Sequence, residues 1–241
     1  MTNILCSLCT NKSPSKPCYN LSMCGRYAIP DPADIPIRFK GTRIGYDLKP
    51  RFNAAPSEDL PVIVNDTEKH VELMRWGLVP FWAKDVNIGY KMINARAETL
   101  QLKPSFRKAL SLQRCIVPAG GFFEWKKLDK EKVPYYIFLK NKQLFGFAGL
   151  YDVWHDKEGK ELKTYTIITT SPNALIKPIH DRMPAILEKK DEEAWLNPDE
   201  TEPERLLKLL HPYPAGEMEA YPVSKLVNSP KNDTKEVIES A

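Results

Sequence analysis

With 241 residues, 42% of them hydrophobic and 27% charged, the chain is long enough for one well-buried core and lies away from the composition of disordered segments. Its formal net charge of +4 permits a polyanionic partner without requiring one. No run approaches the roughly 20 apolar residues of a membrane span, and the first 22 residues hold no apolar block of signal-peptide length, so a cytoplasmic protein with reduced thiols and no membrane partner is expected.

The segment 1–22 is polar and Ser/Pro-rich, without helical or strand periodicity, and reads as a flexible leader ahead of a domain spanning 23–241. Of Cys6, Cys9, Cys18 and Cys24, only the first pair has ligand-like spacing, so no metal site is expected. LPVIVNDTEKHVELMRW, from Leu60 to Trp76, has two apolar runs about a polar turn, the pattern of a β-hairpin. RCIVPAG, GFFEWKK, PYYIFLK, LFGFAGLYDVW and KTYTIITT follow as further strands, rich in β-branched and aromatic residues. Short helices are predicted over Ser105–Leu112 after Pro104, over Pro172–Lys177 between Ser171 and Pro178, and over Thr201–Leu210, where Thr201 and Glu204 have capping-box spacing. The expected fold is a single α+β domain with a curved, mainly antiparallel, barrel-like β core and short peripheral helices.

Six segments place reactive or recognition side chains in turn-like surroundings: MCGRYA at 23, RFNAAP at 51, WGLVPFWA at 76, INARAET at 93, GFFEWKK at 121 and IHDRMPAIL at 179. In this order, and with YPVSKLVNSPKND near the C-terminus, the chain resembles the SOS response-associated peptidase family, also called abasic site processing proteins. The resemblance covers Cys24 to about Ile238. It implies a mixed, mainly antiparallel β fold, binding to single-stranded DNA, a covalent link to abasic sites and self-cleavage that exposes the cysteine.

That chemistry has a physical reason to begin at Cys24. A ring-opened abasic deoxyribose is an aldehyde, which a neutral amine attacks to give a Schiff base. An N-terminal α-amine titrates at about 7.7–8.0, so part of it is neutral at physiological pH, whereas lysine at about 10.4 is mostly charged. If the terminal residue is cysteine, its thiol adds to the imine carbon and closes a thiazolidine. An internal cysteine has an amide nitrogen and cannot. The proposal therefore requires the mature chain to start at Cys24, either because translation begins at Met23 and that methionine is removed, or because the leader is cut by the protein itself.

By the same resemblance, Glu124 is the catalytic general acid/base, His180 a proton shuttle, and Asn94 the residue that holds the terminal cysteine or the sugar. Phosphate contacts fall to Arg26 and Arg96, with Arg182 and Thr169 as further DNA-binding candidates. Trp82, with Asn53 and Pro56, matches the part that stacks on bases beside the lesion. Phe81 stands where many relatives carry glycine, so the stacking surface is expected to differ. Without the resemblance, Glu124 would read as an exposed strand carboxylate, His180 as a structural histidine and Asn94 as a strand-end residue.

The expected partner is single-stranded DNA containing abasic sites, bound by a monomer that needs no cofactor and joins the nucleoid when on DNA. The residue types of Cys24, His180 and Asn94 leave a thiol peptidase acting on other proteins open, and Arg26, Arg96 and Trp82 leave open a non-covalent single-strand reader.

Overall fold

The computed structural model describes residues 25–241 apart from Thr67 and Lys130. Among the described residues twelve strands form two sheets: β1 (Tyr27–Ile29), β2 (Arg51–Ala54), β3 (Asp59–Asn65), β4 (Lys69–Trp76), β5 (Asn94–Arg96), β6 (Arg114–Ala119), β7 (Gly121–Leu128), β8 (Glu131–Leu139), β9 (Phe145–His155), β10 (Glu161–Thr170), β11 (Met183–Pro184) and β12 (Met218–Pro222). The helices are short: α1 (Ile35–Arg38), α2 (Pro104–Leu112), α3 (Glu192–Leu196) and α4 (Pro203–Leu207). Among the described residues no helix is long and apolar enough to cross a membrane.

One sheet has the order β12-β8-β7-β1-β2, and the other runs β11-β10-β4-β3-β6-β9. In the second sheet β9 also pairs with β10, so β10, β4, β3, β6 and β9 close into a five-stranded barrel. Closure is mixed. β10 runs antiparallel to β9 but parallel to β4, with Thr164 opposite Arg75 and Tyr165 opposite Trp76. Beyond β4, β5 continues along the same edge of β10, also parallel. The curved, mainly antiparallel core with small helices around it is the architecture the strand pattern predicts.

Strand alternation sorts the apolar side chains into layers. Tyr27, Val62, Trp76, Phe122, Phe147 and Tyr165 pack together where the two sheets meet. The Tyr27 and Tyr165 hydroxyls share a buried hydrogen bond of 2.8 Å, and the Trp76 ring stacks on Tyr165 at 6.3 Å between centroids. Burial raises both tyrosine pKa values, so this polar pair stays neutral and satisfied inside the core. Phe106, Leu110, Trp195 and Leu206 seal the barrel from the helical side, while Val223, Val227 and Val237 of the C-terminal segment cover Phe123, Tyr136 and Phe138.

Two predicted helices differ from those observed. The helix predicted over 172–177 is replaced by turns over 174–179: the Asn173 side chain, rather than Ser171, accepts from Leu175 N and Ile176 N at 3.1 and 3.0 Å. Pro178 then disfavours α geometry at Lys177, leaving too few residues to propagate a helix. The second begins later and ends earlier than Thr201–Leu210, at Pro203 and Leu207, with Glu202 at its N-cap and no side-chain capping bond. Proline at the first helical position sets that start, so the capping box does not form.

Candidate functional site

On β7 the period of two puts Phe122 in the core between the sheets and Phe123 and Trp125 on the layer beneath the C-terminal segment. Glu124 therefore shares the Phe122 side, and it is only 3% exposed. Across one edge it pairs with Tyr135 of β8. Across the other, β1 sets Tyr27 opposite Phe122, and Phe123 N donates to Arg26 O at 3.0 Å. Carried one residue farther, this register brings Gly25 level with Glu124. Cys24, the residue before Gly25, lies outside the described residues.

His180 is carried by the turn between β10 and β11, where His180 N donates to Ile176 O at 2.9 Å. Its Nδ1 lies 3.1 Å from two groups, Arg182 N and Asp181 Oδ1. The unprotonated nitrogen accepts from the first; once protonated, it donates to the second. A ring with a ready partner in either state suits proton transfer. Glu124 and His180 line one pocket of about 380 Å³ together with Trp125, Lys127, Lys132, Ile179 and Asp181.

A second group gathers at the far end of β10. The parallel register sets Asn94 beside Ile167 and Arg96 beside Thr169. Asn94 is half-buried and Arg96 exposed. Thr169 is fully buried, its hydroxyl donating to Ala95 O at 3.4 Å, while Arg182 Nη2 donates to Thr169 O at 2.7 Å. Arg182 also clasps the Glu98 carboxylate at 2.6 and 2.8 Å, and this bond holds Glu98 below the usual carboxylate range.

Arg26 and Asn53 meet away from solvent. Arg26 is 6% exposed, and its Nη1 donates to Asn53 Oδ1 at 3.2 Å and Val227 O at 2.8 Å. Asn53 Nδ2 in turn donates to the carbonyls of Val227, Ser229 and Asn232 at 3.2, 3.0 and 2.9 Å. Asp233 accepts from Arg51 Nε at 2.6 Å and from the backbone nitrogens of Phe52 and Asn53 at 2.6 and 2.8 Å. MCGRYA, RFNAAP and YPVSKLVNSPKND are thus one interlocked unit, which explains why three distant motifs occur together.

Trp82 stands apart from that unit and, like half-buried Pro56, is not among the residues lining the pocket. Its turn is pinned on both sides: Phe81 N donates to Asp152 Oδ2 at 2.9 Å, and Trp154 Nε1 donates to Ala83 O at 2.8 Å. Phe81 and Trp82 are nevertheless 53% and 48% exposed, and Lys108 Nζ lies 4.5 Å from the Phe81 ring centroid. Two aromatic faces are held toward solvent on a fixed backbone.

Sequence reasoning passed over Lys127, Lys132 and Ile179 in the pocket, and Asp152 beneath the aromatic turn. The run KKLDKEK shows the lysines, but only the fold brings both into the lining of the pocket that Glu124 shares. Among the described residues, Glu188, Asp191 and His211 bring three ligand-type atoms within 4.8 Å of one another. Lys190 already neutralises Glu188 at 3.0 Å, and none of the three lines the Glu124–His180 pocket. The one free cysteine among the described residues is Cys115, fully buried, with its thiol pKa pushed up by burial.

The sequence model of the SOS response associated peptidase (SRAP) family matches residues 23–230. The chain is 57% identical over 196 residues to abasic site processing protein YoqW of Bacillus subtilis, covering 80% of this chain and 88% of that one. It is 51% identical over 228 residues to abasic site processing protein YoaM of the same organism, covering 90% and 98%. Among solved structures, a crystal structure of a Bacteroides thetaiotaomicron protein superposes with a TM-score of 0.79 at 33% identity, over 93% of this chain and all of the other.

Proposed function

The chain belongs to the SOS response associated peptidase (SRAP) family, and on that premise we propose that it serves the DNA-damage response by capturing abasic sites in single-stranded DNA through Cys24. The observation that carries this reading is the pocket shared by Glu124 and His180, at the strand level of Gly25. Consecutive Cα atoms lie about 3.8 Å apart, so the residue joined to Gly25 has short reach to that pocket.

In the proposed sequence, Glu124 moves the proton that opens the deoxyribose ring to its aldehyde. The neutral α-amine of Cys24 attacks the carbonyl carbon, and water leaves to give the imine. The thiol then adds across the C=N bond: sulfur bonds to carbon, and the nitrogen ends with one proton. His180 shuttles protons in these steps through the exchange of partners at Nδ1, and Asn94 orients the terminal residue. Arg96 and Arg182 meet phosphate, and Trp82 stacks on a base beside the lesion. Leader removal is the same site acting as an autopeptidase with Glu124 as base, unless translation from Met23 makes it unnecessary.

The test is incubation of protein starting at Cys24 with an abasic oligonucleotide, read on a denaturing gel. A shifted covalent band is expected, lost in Cys24→Ala and formed about 100-fold or more slowly in Glu124→Gln. Absence of the band in the parent overturns the reading. Full activity on peptides with one residue retained before Cys24 would instead favour a thiol peptidase.

A further inference from the structure

The hairpin of β7 and β8 sets Lys127 directly opposite Lys132. Like charges at such a position have Cβ atoms about 4.5–5.5 Å apart and destabilise the pair. Both lysines are exposed, and among the described residues neither makes an ion pair within 4.0 Å, whereas Glu131 of the same hairpin is engaged by Lys225 at 3.3 Å. Both line the pocket that contains Glu124 and His180. Repulsion between two lysines that line a pocket is relieved by a bound anion.

From this juxtaposition we propose that Lys127 and Lys132 form a clamp for a backbone phosphate of the strand entering the Glu124–His180 pocket. The inference rests on the reading of the pocket as a site for single-stranded DNA. A phosphodiester oxygen between two ammonium groups accepts from both and removes their mutual repulsion. The clamp acts from the β7–β8 side of the pocket, across from the turn that carries Ile179, His180 and Asp181. The pocket carboxylates Glu124 and Asp181 limit the anion to the lysine side, which favours an extended polymer over a free ion seated among them.

The experiment measures binding of an undamaged oligothymidylate across a salt series, for the parent, for Lys127→Gln/Lys132→Gln and for Lys208→Gln, an exposed lysine after α4 that does not line the pocket. Each phosphate neutralised on a single strand contributes about 0.7 to the slope of log affinity against log salt. The double variant should therefore lower that slope by about 1.4 if each lysine meets a phosphate, and by about 0.7 if both share one. Lys208→Gln should change it little. Circular dichroism of each variant checks that the hairpin remains folded.

A slope unchanged in the folded double variant overturns the clamp, as does an equal fall in Lys208→Gln, which would mark a bulk charge effect. No salt-dependent binding by the parent also overturns it. Because undamaged DNA is used, a parent that binds with the expected slope but never crosslinks to an abasic site defeats the covalent mechanism and leaves the clamp standing.

Discussion

Arg182 holds Glu98 with both terminal nitrogens, at 2.6 and 2.8 Å, and turns one of them onto Thr169 O at 2.7 Å. The hydrogen bond from Arg182 depresses the Glu98 pKa below its ordinary 4.5. A depressed carboxylate adds stability above the unfolded-state value and loses it as pH falls through the folded one. The Glu98 side chain is 54% exposed, so Glu98→Gln should cost under about 1 kcal/mol at neutral pH. Urea denaturation at a series of pH values should show the gap between parent and variant closing in acid, where both states are protonated. A gap that persists there would assign the effect to packing.

Asn53 is expected to matter for stability as well as for DNA. Asn53→Ala leaves the buried carbonyl of Val227 and the part-buried carbonyls of Ser229 and Asn232 without its amide, and the Arg26 guanidinium without its side-chain acceptor. Losses of this kind cost about 1–3 kcal/mol each where the group stays dry, so the variant should unfold at distinctly lower urea, and amide exchange should accelerate over 225–233. An unchanged midpoint would show that these bonds contribute nothing to stability.

Gly77 begins the segment that runs on to Trp82, and its nitrogen donates to Tyr165 O at 2.8 Å. It has φ of +123°, and a Cβ there would lie 2.7 Å from Gly89 O. Gly77→Ala should destabilise by about 1–3 kcal/mol through backbone strain and disturb the turn pinned by Asp152 and Trp154. Thermal unfolding measures the first effect and tryptophan emission the second. Gly45→Ala, where nothing lies within 4 Å, should leave both unchanged.

Trp82→Ala should separate binding from folding in the opposite way. Its half-exposed ring supplies little to the core, so stability should stay within about 0.5 kcal/mol. Binding of single-stranded DNA should weaken by about 1–3 kcal/mol, the worth of one stacked base. Fluorescence titration with an oligonucleotide checks this, and undiminished affinity would remove Trp82 from the interface.

The sequence by itself determined the strands and the kinds of chemistry available. Alternation of apolar residues marked Leu60–Trp76 as a hairpin, and the period of two put Glu124 on the Phe122 side, because both properties depend on neighbours a few residues away. The motif order supplied the family and the set Cys24, Asn94, Glu124 and His180. Tertiary structure decided what surrounds those groups. Barrel closure joins Thr164 to Arg75, and burial of Arg26 and Asn53 comes from a segment near Val227; such long-range pairings leave no local period to read. Pro178, visible from the start, outweighed the helical reading of 172–177 only once Asn173 had a backbone turn to cap. For Cys24, sequence names the atoms proposed to react, and the pairing of β1 with β7 sets the level of Gly25 against Glu124, because register is the consequence of contacts between chain segments that meet only on folding.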